Sequence, residues 1–158
     1  MFKSICHIAL FTDKMDEMMD FYTNKLGGRL LVLTRYKSYL NSPNRPQHSE
    51  IARKDPERIY NVYIEIAPGQ SVELFPKQEY QNCHPEFNEN LGYSHFALLS
   101  DDIYADRDRL LEKGVTMTKD ISKGPSGTYQ CWFHDPDNNY FEIMQYTEDS
   151  YQLKGHID

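Results

Sequence analysis

Residues 139–146 read Asn139-Tyr140-Phe141-Glu142-Ile143-Met144-Gln145-Tyr146, directly after the turn-forming run Asp135-Pro136-Asp137-Asn138. Aromatic and aliphatic residues behind such a turn predict a strand. Alternate strand residues share a face, so Glu142 points with Met144 and Tyr146. An ionised carboxylate with apolar neighbours on both sides is costly unless a partner or a metal compensates it. The plain alternative is a half-exposed strand whose glutamate faces water. What weighs against that alternative is that the pattern occurs twice.

The first copy lies at Ser71-Val72-Glu73-Leu74-Phe75, which matches Tyr140-Phe141-Glu142-Ile143-Met144. Upstream of each lies a second match. His7, Ala9-Leu10 and Asp13 correspond to His95, Ala97-Leu98 and Asp101, with Asp13 and Asp101 as expected helix N-caps. Gly27 and Gly114 then stand where helices should end. From His to Glu the separation is 66 residues in the first half and 47 in the second. The difference is about the length of a polar, proline-punctuated excursion over 36–60, read as a loop. Internal repetition of this kind fixes the architecture before any motif does.

Each half reads as strand, helix and three strands. In the first, Ser4–Phe11 is a strand, Met15, Met18, Met19, Tyr22 and Leu26 form an apolar helix stripe, and Arg29–Arg35 is a second strand. A hairpin then joins 61–67 to 71–75 across Pro68-Gly69-Gln70. In the second, Tyr93–Leu99 is the first strand and a helix carries Ile103, Arg107, Leu110 and Leu111. Strands follow around 116–118, 129–134 and 139–146. The expectation is one α+β domain over 1–158, built of tandem βαβββ modules at 1–76 and 91–147. A linker over 77–90 joins them and a polar, frayed tail follows.

Composition bounds the function. A net charge of −7 argues against nucleic acid as a partner. No apolar run approaches a membrane span, and Ile5–Phe11 is too short for a signal peptide, so the expected location is cytoplasmic and off the membrane. Cys6, Cys83 and Cys131 are odd in number and form no CxxC pair, which suits reduced thiols.

Two such modules side by side would close a mixed sheet whose concave face collects His7, Glu73, His95 and Glu142. Two imidazoles and two carboxylates suit one divalent ion such as nickel, cobalt, zinc, manganese or iron. Taken singly, His95 reads as a core histidine and Glu73 as an edge charge; four residues at matching points of a repeat favour the metal reading. His48, His84, His134 and His156 read as surface residues.

These stretches, HIALFTDKMDEMMDFYTNKLGG, VELF, SHFALLSDD and HDPDNNYFEIMQ, resemble the vicinal oxygen chelate superfamily and within it most nearly glyoxalase I. The resemblance implies paired βαβββ modules cupped around a metal, with His7, Glu73, His95 and Glu142 as ligands. It implies a lyase or isomerase of the lactoylglutathione lyase type, in which Glu142 shuttles a proton next to a carbonyl through a metal-stabilised enediolate. Glu142 should also be the drier carboxylate, since Glu73 is followed by Pro76 and a polar stretch.

The sequence departs from the glutathione-using members at two points. They carry an Arg four residues past the first metal ligand and an Asn four past the second; here these are Phe11 and Lys77, and Lys123 matches a further contact only with a one-residue slip. Losing the Arg removes a carboxylate clamp. The candidate substrate-binding set is therefore Phe11, Arg35, Lys77, Lys123 and Met144 around a small carbonyl substrate. The excursion has three more basic than acidic residues over 35–58, which fits either a solvated loop or a lid gathering an anionic substrate. Sibling readings are an acyl-coenzyme A epimerase, a dioxygenase, or a non-enzymatic binding protein walled by Phe11, Tyr93, Trp132 and Tyr146. Pairing of the modules within one chain or across a homodimer stays open.

Overall fold

A computed structural model describes residues 1–157. The chain divides into two compact units, Met1–Gln81 and Asn82–Asp158, each with helices on a four-stranded mixed sheet. The division falls inside the stretch expected to link the modules.

The first unit runs β1 (His7–Thr12), α1 (Met15–Asp20), β2 (Arg29–Arg35), α2 (Pro46–Lys54), β3 (Ile59–Ala67) and β4 (Gln70–Pro76). Its sheet order is β1-β4-β3-β2, with β1 parallel to β4 and the other pairs antiparallel. Parallel neighbours cannot be joined by a tight turn, so α1 and two strands intervene between β1 and β4. Leu10, Val62, Ile64, Val72 and Leu74 are buried, and Met18 and Tyr22 on the helical side are fully buried. Each such side chain contributes about 1.5–3 kcal/mol of burial. Period-two alternation then leaves His7, Tyr63 and Glu73 on the opposite face.

Three expectations change here. Asp13 does not cap α1: the N-cap is Lys14, and the Thr12 hydroxyl accepts from the Lys14 N–H. The helix next widens into a π turn at Phe21–Lys25, which carries Phe21 inward beside Tyr22, so the apolar stripe includes a residue that a 3.6 period omits. The excursion is also ordered structure and not a loop. It holds a 3₁₀ turn at Tyr36–Tyr39, the helix α2 with Pro46 in its first turn, and the start of β3. The rings of Tyr36, Tyr39, His48 and Tyr60 pack together at centroid distances from 4.8 to 6.3 Å. Scattered over 25 residues of polar sequence, those four rings make no periodic signal.

The second unit repeats the plan with β5 (His95–Leu99), α3 (Ile103–Glu112), β6 (Met117–Lys123), β7 (Tyr129–His134) and β8 (Tyr140–Gln145), in sheet order β5-β8-β7-β6. Ile103, Leu110, Cys131, Phe133 and Phe141 are fully buried. The cap of α3 is Asp102, not Asp101; its carboxylate accepts from the Tyr104 and Ala105 N–H groups at 3.1 Å. The caps Lys14 and Asp102 thus each stand seven residues past their histidines, and the repeat holds with a longer step. Gly27 and Gly114 end the helices at φ 87° and 71°, a conformation that favours glycine.

The tail is not frayed over residues 147–154. It forms a short α4 (Tyr151–Lys154) and buries Ser150 completely. Thr128 Oγ1 lies 3.0 Å from Ser150 Oγ and 2.8 Å from Gln152 Oε1, and the Thr147 hydroxyl donates to the Gly127 carbonyl at 2.7 Å. Hydroxyl contacts of this kind carry no hydropathy signature, so the tail reads as merely polar.

Candidate functional site

Each unit brings together its own histidine and glutamate by the same register. In the first, His7 pairs with Ser71, which sets Ala9 beside Glu73. In the second, His95 pairs with Tyr140, which sets Ala97 beside Glu142. The offset of two residues is identical, and it leaves His7 Nε2 3.4 Å from Glu73 Oε2 and His95 Nε2 3.7 Å from Glu142 Oε2.

The residue preceding each histidine holds the other ring nitrogen. Cys6 Sγ lies 3.2 Å from His7 Nδ1, and Ser94 Oγ lies 3.1 Å from His95 Nδ1. Both imidazoles therefore turn Nε2 toward the glutamate. An aromatic residue completes each set: Tyr63 is the cross-strand partner of Glu73, and Trp132 that of Glu142. The Tyr63 ring stands edge-on to His7 at 5.5 Å, and Trp132 edge-on to His95 at 4.5 Å. Neither Cys6, Ser94 nor Tyr63 is legible as functional in the sequence alone; the signal was their equivalent place in the repeat.

The two glutamates differ in a way the sequence misjudged. Glu73 is not the wetter one: the residues are 6% and 5% exposed. What separates them is hydrogen bonding. Asn61 Nδ2 donates to Glu73 Oε1 at 2.7 Å, and the Tyr63 phenol also bonds to Glu73, an acceptor that with burial pushes the phenol up to about 12. Among the described residues nothing donates a hydrogen bond to the Glu142 carboxylate. Burial raises the pKa of Glu142, with Lys119 acting the other way, and burial lowers the pKa of His95, which favours the neutral imidazole.

The donor chemistry fits a divalent ion. Two ligand atoms at about 2.0–2.2 Å from one ion stand about 3 Å apart, and the His–Glu separations need only a few tenths of an ångström of closure. Among the described residues neither buried carboxylate has a Lys or Arg ion pair, and both histidines have the oriented second nitrogen that metal-bound imidazoles require. Among the described residues no third His, Cys, Asp or Glu joins either pair in a cluster of three. One unit supplies two donors.

The other candidate residues lie as follows. Phe11, 45% exposed, is four residues past His7 and packs on Phe75 at 5.4 Å. Met144 is half-buried, two past Glu142. Lys77 Nζ stands 3.9 Å from Asp13 Oδ2. Arg35 pairs with Glu57, as does Lys37, so the basic residues of the excursion are largely engaged at home. Lys123 lies over the Tyr129 ring at 5.6 Å. Of the histidines read as surface residues, His48 sits in the tyrosine cluster. His84 Nε2 meets Asn139 Oδ1 at 2.8 Å, and Asn139 in turn donates to the buried Asp135.

Two βαβββ units, each with a His and a Glu at the same register, define a class. The chain belongs to the Glyoxalase/Bleomycin resistance protein/Dioxygenase superfamily, whose profile matches residues 4–143. It is 26% identical over 152 residues to a protein of Vibrio parahaemolyticus named "Probable lactoylglutathione lyase", with 96% of each chain covered. The glyoxalase family protein from Enterococcus faecalis superposes with a TM-score of 0.67 at 23% identity, covering 90% of this chain and 98% of that one. TnmS3, an antibiotic binding protein from Streptomyces sp. CB03234, gives 0.62 at 18% identity, covering 92% and 98%. At these identities the likeness of the structures speaks to the fold. No helix among the described residues is long and apolar enough to cross a membrane.

Proposed function

We propose that this protein is a metal-dependent isomerase or lyase of the glyoxalase I type, acting on a small carbonyl compound. His7 and Glu73 of the first unit and His95 and Glu142 of the second are its metal ligands. The observation that carries the reading is the duplicated pair: in both units Nε2 faces a buried carboxylate while the preceding side chain holds Nδ1. An ion bound there would supply Lewis-acid polarisation of the substrate carbonyl.

The residues divide the remaining work. Glu73, tied by Asn61 and Tyr63, is a fixed ligand. Glu142 is free of such ties, and burial makes it a stronger base than an exposed carboxylate. It takes the proton from the carbon beside the carbonyl and returns it to the neighbouring carbon. Trp132 and Tyr63 exclude water beside the two histidines.

Metal analysis of the purified protein, followed by a substrate panel on chelated and reloaded samples, tests this. The expected result is one divalent ion per chain and carbonyl-adjacent proton exchange that is lost on chelation. Absence of metal affinity in samples retaining all four side chains would sink the enzyme reading and leave a binding protein of the same fold. Turnover of the methylglyoxal–glutathione adduct should be poor, because Phe11 stands where a carboxylate clamp is needed; kcat/KM above about 10⁴ M⁻¹s⁻¹ would contradict that.

A further inference from the structure

On the strand face that carries His7 and Glu73, the chain continues into an aromatic shelf. Phe11 and Phe75 follow at even steps, four residues past His7 and two past Glu73, and they are direct partners in the β1–β4 register. Even spacing keeps them on the face of the pair, and a strand rise of about 3.3 Å per residue sets Phe75 roughly 7 Å beyond Glu73. Their rings lie 5.4 Å apart, with Phe11 45% exposed. Tyr60 stands edge-on to Phe75 at 5.7 Å, and Tyr39 lies 4.8 Å from Tyr60, so the ordered excursion buttresses the shelf from behind.

The charges near this end are spoken for. Lys77 has Asp13 at 3.9 Å, Arg35 has Glu57 at 3.5 Å, and the guanidinium groups of Arg45 and Arg58 lie over the Tyr39 and Tyr36 rings. A carboxylate laid on Phe11 and Phe75 would lose water and meet ring faces, which are electron-rich. An aryl or extended apolar group would lose only unfavourable hydration and gain ring contacts.

We propose that the substrate of the His–Glu site carries an aryl or bulky apolar arm, and that the Phe11–Phe75 shelf selects it over an anionic arm. This rests on the metal-site reading above and adds to it the class of substrate. Phe11 and Phe75 are specificity residues, with no part in proton transfer.

Hydroxamates test the shelf separately from the chemistry, because their two oxygens chelate a divalent ion while the arm is varied. Dissociation constants would be measured by calorimetry on metal-loaded protein for acetohydroxamate, phenylbutanohydroxamate and a carboxyl-ended hydroxamate of equal length. The phenyl-ended probe should bind at least 10-fold more tightly than the carboxyl-ended one. Phe11→Ala and Phe75→Ala should each bring the two within about 3-fold while leaving acetohydroxamate unchanged, which also reports intact folding. Phe11→Arg should reverse the preference. Equal affinities in the wild-type chain, or a preference for the carboxyl-ended probe, would overturn the shelf while the metal site stood. Failure of all three hydroxamates to bind would overturn the metal-site reading and the shelf with it.

Discussion

At the scale of single residues, the molecule distinguishes two glutamates that the ligand pattern treats as equals. Burial does not separate them, at 6% and 5% exposed; the Asn61 amide does, at 2.7 Å from Glu73 alone. The corresponding residue in the other unit is Gln130, which pairs with Met144; among the described residues nothing donates to the Glu142 carboxylate. A carboxylate held by an amide and a phenol stays where it is, while one held only by its histidine can move with a proton. Glu142→Gln should therefore lower the rate by roughly 10² to 10⁴ with metal largely retained, and Glu73→Gln should keep more activity. Single-turnover measurements at matched metal occupancy decide this, and the reverse order would transfer the base to Glu73. Ser94 gives a second expectation. Removing the hydroxyl that orients His95 Nδ1 should weaken metal binding by about 10-fold or more, so Ser94→Ala should need correspondingly more metal in a titration, with its fold unchanged by circular dichroism.

At the scale of elements, the helix starts show how one-residue shifts hide in a sequence. Asp13 and Asp101 both look like caps, yet α3 is capped by Asp102 and α1 by no side chain at all. Asp102→Ala should destabilise the protein by about 1 kcal/mol, whereas Asp13→Ala, which removes only an exposed 3.9 Å ion pair, should change stability by about 0.5 kcal/mol or less. Gly28 marks a tighter constraint. A Cβ there would come within 2.5 Å of the Tyr22 carbonyl oxygen and 2.8 Å of that of Glu65, so the chain from α1 enters β2 pressed against backbone. Gly28→Ala should lower the midpoint of urea denaturation by more than either cap substitution. The strands were the most legible elements, because β2 and β8 are carried by unbroken runs such as Arg29–Arg35 and Tyr140–Gln145. The excursion was the least legible, since its order comes from four rings meeting across α2 and β3.

At the scale of the whole molecule, the number of ions bound separates two arrangements of the His–Glu pairs. Each unit offers two donors and, among the described residues, no cluster of three. If two pairs share an ion, titration should saturate at one ion per chain, and His7→Ala and His95→Ala should each abolish tight binding instead of halving the capacity. Two independent weak sites per chain, each surviving loss of the other histidine, would refute the shared site. Bound metal should also raise the thermal midpoint, and a chelator should reverse it, because an ion that binds only the folded chain stabilises it by mass action.

The sequence by itself determined the repeat, and with it the βαβββ order and the choice of His7, Glu73, His95 and Glu142 as candidate ligands. Repetition is a property of the chain, and strand alternation turns it directly into a shared face. Tertiary structure decided what depends on distance across the sheet. Parallel pairing sets each histidine two residues from register with its glutamate, which puts Nε2 opposite the carboxylate. Antiparallel pairing brings Tyr63 and Trp132 to the same place, and Asn61 to Glu73 alone. Those partners lie 10 to 12 residues from the glutamates along the chain, at no helical or strand period, so only the folded sheet makes them neighbours.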